Sequence, residues 1–414
     1  INIAQRVLNS SGSKTYDAYT DALAAAITLS NLVSGEALNH SGTATISSAN
    51  AGSYTITNLA GITIADGSGG AASNYTLTGG THNFTVNRRV VSVSGTRLYD
   101  ATTNAVASDL STHANLVGSE TLNLSGTGTI ASKNVGSNKT VSVGTLALAD
   151  GSNGGLAANY TLSGGTHQLT VNQRPLNATL ARQYDGTTTA AGSTLSSFDA
   201  LQGGETLTMS GSGTAASVNV ANGIAMSSNG DLGLVDGTGL ASNYSLNSTV
   251  INITQRVLNS SGSKIYDANT NALAADITLS NLVSGETLNH SGTATLSSAN
   301  AGSYTISNLT GISIADNAGL ASNYTLTGGT HNFTVNPKVV SIQGNKTYDG
   351  NTTISSSDIT SITGTVGSET LVMSSGTGTT SSQNAATYTS ADINEGSLTL
   401  GDGSNGGLAA NYTL

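Results

Sequence analysis

The chain has 414 residues, 9% of them charged, 4% aromatic and 37% hydrophobic, with 51 Gly, two Pro and neither Cys nor Trp. Soluble domains are about one quarter charged, so the polar surface here must be Ser, Thr, Asn and Gly, which suits β-rich extracellular proteins. The net charge of −10 disfavours a nucleic-acid partner. No apolar run approaches the ~20 residues that span a bilayer, and the low charge argues against charge-driven disorder.

In chain order, the first predicted element is a fragment. Residues 1–4 (Ile1-Asn2-Ile3-Ala4) match the last strand of a repeat found later in the chain, at Ile251-Asn252-Ile253. From Gln5 onwards one design recurs five times, at a spacing of about 82 to 85 residues. The predicted repeats are 5–87, 88–172, 173–254, 255–336 and 337–414, the fifth without a final strand. Neither end falls on a repeat boundary, which predicts a window cut from a longer array.

Within each repeat the marks keep one order. A base comes first (Lys14, Arg97, Arg182, Lys264, Lys346), two positions before a Tyr-Asp pair. The pairs are Tyr16-Asp17, Tyr99-Asp100, Tyr184-Asp185, Tyr266-Asp267 and Tyr348-Asp349. A Glu follows at 36, 120, 205, 286 and 369, then an Asp at 66, 150, 236, 316 and 402. Each repeat then reaches Asn74-Tyr75, Asn159-Tyr160, Asn243-Tyr244, Asn323-Tyr324 or Asn411-Tyr412. The first and fourth repeats are nearly identical, which points to duplication of whole units.

Between these marks the period is two: Tyr54/Ile56, Ile62/Ile64, Tyr75/Leu77 and Phe84/Val86 alternate with Thr, Ser or Asn. Such alternation, bounded by Gly, Asn and Asp, predicts half-buried antiparallel strands. Six to eight short strands per repeat predict an all-β fold, a tandem array of small immunoglobulin-like antiparallel sandwiches forming an elongated rod. A continuous β-solenoid is the alternative, but it needs a sub-period of 20–30 residues that the repeat lacks. Asp21 to Ile27 has the composition of a single helical turn; its counterpart Thr353 to Ile359 does not. The junctions hold no long Gly/Ser linker, which implies a semi-rigid chain of units.

Chemistry-bearing patterns are sparse. The Tyr-Asp pair reads as structural: the ring packs, the hydroxyl finds a backbone partner, and Asp caps the following turn. A Lys-based crosslink common to all repeats is excluded by Arg97 and Arg182, since arginine is no amine nucleophile; a charge pair between the base and the recurring Glu or Asp fits better. The Asp-Gly loops offer one carboxylate each, whereas calcium wants several, so no cofactor is expected and calcium is disfavoured. Six scattered histidines show no zinc spacing, and no nucleophile elbow or phosphate loop is present. The expectation is a non-enzymatic protein with no catalytic, cofactor or metal site. In three repeats Ala18, Ala101 and Ala268 follow Tyr-Asp where Gly186 and Gly350 stand in the others. Alanine disfavours positive φ, so these turns are not expected all to depend on a left-handed residue there.

Lys346-Thr347-Tyr348-Asp349-Gly350-Asn351-Thr352-Thr353, the Gly-Thr-Gly-Thr stretches and the closing Asn-Tyr-Thr-Leu resemble the YDG (mostly-β, glycine-rich) repeats of large secreted bacterial adhesins. Those are similar to filamentous-haemagglutinin-type exoproteins exported by two-partner secretion. The resemblance implies an extracellular or cell-surface location and a role in adhesion or biofilm. The expected function is a structural stalk or fibre segment. The alternative is a multivalent module gripping matrix polysaccharide, cell-surface glycans or proteins through avidity. Self-association by head-to-tail strand addition is a third expectation.

Overall fold

The computed structural model describes residues 1–306 and 308–414. The first repeat shows why the alternating sequence folds as it does. Its strands are β1 (Arg6–Val7), β2 (Asn9–Thr15), β3 (Asp21–Leu23), β4 (Ile27–Ser30), β5 (Leu38–Ile46), β6 (Gly52–Asn58), β7 (Ile62–Asp66), β8 (Tyr75–Thr76) and β9 (His82–Asn87). In β9 the burial alternates strictly, with His82, Phe84 and Val86 inward and Asn83 and Asn87 outward, as a half-buried strand requires.

One sheet runs β3-β5-β6-β9-β2-β4, and β7 pairs with the first half of β5. The two outer strands, β3 and β4, are joined by a single 3-10 turn, Ala24–Ala26. Edges that close in sequence must be close in space, so the sheet rolls nearly shut. It is therefore all-β and repeated, as the periodicity predicts, but a rolled sheet takes the place of two facing sheets. Its centre is a parallel pair, β2 with β9, from Ser10 opposite His82 to Thr15 opposite Asn87, where antiparallel pairing alone was expected. A second parallel pair, β1 with β8, ties the start of the repeat to its Asn-Tyr mark.

The 3-10 turn recurs at Ser356–Asp358, although that stretch lacks helical composition. Its local support differs between the two repeats: Ser355 and Asp358 cap each other there, while Ala24–Ala26 has no side-chain cap. Among the described residues no helix is long and apolar enough to cross a membrane.

The chain forms two compact units. The first comprises Ile1–Ala178, Phe198–Ser210 and Gly233–Ser248; the second comprises Thr179–Ser197, Gly211–Leu232 and Thr249–Leu414. The first has a core that includes Ile46, Phe84, Val93, Leu110, Leu169 and Leu176, and the core of the second includes Leu296, Ile306, Phe333 and Val335.

Phe84 and Phe333 fit because glycine faces each of them on β2 and on its counterpart Asn259–Ile265. A Cβ on Gly12 would lie 2.3 Å from the Ala26 carbonyl oxygen and 2.8 Å from the Phe84 ring. Gly12→Ala is thus expected to destabilise the first repeat by about 1–3 kcal/mol through overpacking. Thermal unfolding with hydrogen exchange resolved to residues 5–87 would measure it, and an unchanged repeat would contradict the close packing.

Candidate functional site: the junction between repeats

The recurring marks meet, and they meet across repeats. The Tyr16 hydroxyl donates to Glu120 of the second repeat (2.7 Å), and the Tyr160 hydroxyl donates to the other oxygen of the same carboxylate (2.6 Å). The two rings stand edge to face, 5.4 Å apart. Tyr99 and Tyr244 share Glu205 in the same way, Tyr184 and Tyr324 share Glu286, and Tyr266 and Tyr412 share Glu369. Their rings are 5.3 to 5.5 Å apart at angles of 77–79°. Each of these four junctions lies within one compact unit.

The Asn of each Asn-Tyr mark completes the contact. Asn159 Oδ1 accepts the Ala51 N–H (2.8 Å), and its amide donates to Asn50 (3.0 Å). Asn243 does this with Val135 and Asn134, Asn323 with Val220 and Asn219, and Asn411 with Ala301 and Asn300. All four are fully buried, so their amides need these partners. Arg89 and Arg174 add a bond to the carbonyls of Tyr16 and Tyr99 (3.3 and 2.6 Å), and Arg256 one to that of Tyr184.

The Tyr-Asp turn itself is an Asx turn. Asp17 accepts the Tyr19 N–H (3.0 Å), and Asp100, Asp185, Asp267 and Asp349 accept the N–H two residues on. The preceding base pairs with that Asp in every repeat: Lys14–Asp17 at 3.0 Å, Arg97–Asp100 at 3.1 Å, Lys264–Asp267 at 2.8 Å, Lys346–Asp349 at 2.9 Å, and Arg182 with Asp185. It also donates to the carbonyls that follow; Lys14 reaches those of Tyr19 and Asp21. The loop Asp residues have a job of their own: Asp66, Asp150, Asp236, Asp316 and Asp402 each accept the N–H that opens the 3-10 turn ending in the Asn of Asn-Tyr. Among the described residues no group of three or more His, Asp or Glu could hold a metal ion.

Two expectations change here. The Tyr-Asp hydroxyl bonds a glutamate of the next repeat, about a hundred residues on, rather than its own backbone. Backbone bonding belongs to the other tyrosine, since Tyr160 accepts the Val117 N–H (3.0 Å). The residue after Tyr-Asp is left-handed in all five repeats, at φ 69° for Ala18, 63° for Ala101, 60° for Ala268, 76° for Gly186 and 78° for Gly350. Tertiary contacts on both sides of the turn overrule the preference of alanine. Asn50, Asn134, Asn219 and Asn300 are junction residues with no prior expectation attached to them; their fixed place before the second half of each repeat was the available signal.

The junctions have electrostatic consequences. Burial, reinforced by the bond to glutamate, pushes Tyr16 up to about 12, as it does Tyr266 and Tyr324, and raises Tyr99, Tyr160 and Tyr184. Tyr244 also rises to about 12 with burial as the main cause. The second junction is distinct because Lys133 donates to Glu205 (2.6 Å). Burial pushes the Glu205 carboxyl up, but hydrogen bonds from Lys133, Tyr99 and Tyr244 outweigh it and hold the group below its usual range. Ala49, Val218 and Ala299 stand where Lys133 does, so this cation is confined to one junction.

The YDG domain family model matches residues 4–82, 85–168, 167–251 and 252–333. The chain belongs to that family. No curated protein matches. Among solved structures, the Bacillus anthracis TIE protein shares 8% identity over 75% of this chain, with a TM-score of 0.15. The alignment spans 61% of that protein's length.

Three outcomes are expected. Glu120→Ala strands two buried hydroxyls and should cost about 2–4 kcal/mol at the first junction, read as increased hydrogen exchange around Tyr16 and Tyr160. Ala18→Gly relieves a left-handed alanine worth about 1–2 kcal/mol but loosens the unfolded chain, so a net gain of about 0.5–1 kcal/mol should appear in thermal unfolding. In alkali, a tyrosine whose folded value exceeds its unfolded value of 10 stabilises fully below pH 10 and loses that contribution as pH rises toward 12. Junction tyrosines should therefore ionise together with unfolding between about pH 10 and 12, seen as a cooperative absorbance rise near 295 nm; gradual ionisation of a folded chain would contradict their burial.

Proposed function

We propose that this chain is a structural segment of a secreted bacterial surface adhesin, a stalk or fibre portion that sets the distance between a binding tip and the cell. The observation that carries this reading is the fate of the recurring polar residues. Tyr, Glu and Asn at four successive junctions are consumed in repeat-to-repeat contacts. Selection on such residues would act on how units join rather than on a ligand held within each unit. Every junction closes edge-to-face rings and charge-assisted bonds in a nearly constant geometry, which limits bending between neighbours. Membership of the YDG family supports the reading, since its recurring mark is a junction residue here.

The second reading, a multivalent glycan binder, rests on Tyr19, 69% exposed beside the first Tyr-Asp turn. Asn269 stands in its place in the near-identical fourth repeat, so the platform is not repeated and avidity would not follow from it.

Small-angle scattering tests the stalk. A compact particle of this length would have a radius of gyration near ~22 Å, whereas five units end to end give about 50 Å. The larger value is expected; the smaller would remove the stalk reading.

A further inference from the structure

The rolled sheet of the first repeat leaves two short edges without a neighbouring strand. β9 runs along one side of β2 as far as Thr15, but β4 covers the other side only along Asn9–Gly12. Among the described residues no strand lies on that side of Ser13–Thr15. The counterparts Ser92–Leu98 and Asn259–Ile265 are covered in the same partial way, to Ser94 and to Gly262. β3 supplies the second edge. The Thr20 carbonyl accepts the Ile46 N–H (2.9 Å) and Ala22 lies opposite Ala44, so residues 20 and 22 turn their backbone groups to β5. Backbone groups alternate along a strand, and those of Tyr19 and Asp21 therefore face away from β5.

Lys14 joins these two edges. It stands on the uncovered end of β2, and its ammonium donates to the carbonyls of Tyr19 (2.8 Å) and Asp21 (2.7 Å), the two that β5 leaves unused. The other repeats take the same carbonyls. Arg97 donates to Thr102 (2.6 Å) and Asn104, Lys264 to Asn269 and Asn271 (2.7 Å each), Lys346 to Asn351 (3.0 Å) and Thr353, and Arg182 to Thr187. It is the next residue in each case, Thr103, Thr270, Thr352 or Thr188, whose carbonyl bonds the neighbouring strand. The five basic side chains are only 6–19% exposed, so each is lodged in the opening rather than spread over the surface.

We propose that this base is the latch of the rolled sheet: it stands in for the missing ladder between β2 and β3, and by occupying the outward carbonyls it keeps the edge strand of another copy from pairing there. A cation suits the task because it donates to several oxygens at once and offers no acceptor in return, so it extends no ladder. The bond to Asp of the Tyr-Asp pair then holds the cation in place, and the carbonyls are its target. The fourth repeat doubles the guard. Asn269 Oδ1 accepts the Asn271 N–H (2.9 Å), so donors as well as acceptors of that edge are occupied. Tyr19 stands at the equivalent position in the first repeat and has no carboxamide to offer, which makes the first edge the more dependent on its base. The latch belongs to each repeat singly, so it can fail while the stalk reading stands, and the reverse.

Sedimentation velocity over a concentration series, with each variant compared with the wild-type chain at the same concentration, is the test. Lys14→Met keeps the apolar stem and removes the donors; it should shift the boundary toward larger species as concentration rises. Lys264→Met should do so less, because Asn269 still guards its edge. Lys14→Arg should sediment as the wild type, since arginine fills this place in the second and third repeats. Asp17→Asn weakens the ion pair but leaves the ammonium on both carbonyls, so it should also match the wild type; a role confined to the Tyr-Asp turn would make it behave like Lys14→Met. Hydrogen exchange on the same samples separates pairing from unfolding. In Lys14→Met, His82–Asn87 should stay protected while Asp21–Leu23 gains protection with concentration. Should His82–Asn87 lose protection, the same readings on Lys264→Met at His331–Asn336 and Asn271–Leu273 decide. Three results would overturn the latch: neither Met variant associating beyond the wild type, Asp17→Asn associating as strongly as Lys14→Met, or association without protection of the edge strand.

Discussion

The structure depends on one carboxylate shared by two tyrosines from different repeats. A half-buried glutamate needs its acceptor capacity filled, and in this charge-poor chain it is filled by one hydroxyl from its own repeat and one from the repeat before. Neither repeat satisfies the group alone. Removing either tyrosine leaves the carboxylate short of a donor, so the contact needs both repeats at once. The edge-to-face ring pair and the buried Asn amide then fix the orientation, because both have narrow geometric tolerance.

The Tyr-Asp turn serves that contact. For the tyrosine to leave its strand and reach the next repeat, the chain must reverse directly after Asp, which requires a left-handed residue. Glycine does this freely, and alanine does it in three repeats because the turn is over-determined. Asp accepts the N–H two residues on, and a Lys or Arg bridges that Asp and the following carbonyls. Lysine and arginine are interchangeable here, since either cation can donate to several oxygens around it. An amine nucleophile is not what the position selects. Lys133 shows the same economy at the second junction, where a single cation adds to a carboxylate already bonded by two tyrosines.

Much of the molecule was legible from local pattern. Alternation of period two gave strands such as His82–Asn87, and Gly, Asn and Asp bounded them. The recurrence of Tyr-Asp and Asn-Tyr gave the positions of the site, and the capping role of Asp17 follows from its side chain alone. The parallel pairing of the second and closing strands was not legible, because pairing partners some seventy residues apart leave no mark in the local period. The 3-10 turn at Ser356–Asp358 has poor helical composition; its local signal was the Ser-x-x-Asp capping box of Ser355 and Asp358 instead.

By itself, the sequence determined that this protein is an array of all-β repeats, where the repeats lie, and which residues recur in them, since period and repetition are properties of the chain. Only the tertiary structure decided that the sheet rolls instead of stacking, that Ala18, Ala101 and Ala268 adopt a conformation alanine avoids, and that Tyr16 belongs to Glu120. Each of those outcomes is settled by groups distant in sequence that become neighbours, and whose burial calls for hydrogen-bond partners, only once the chain has folded.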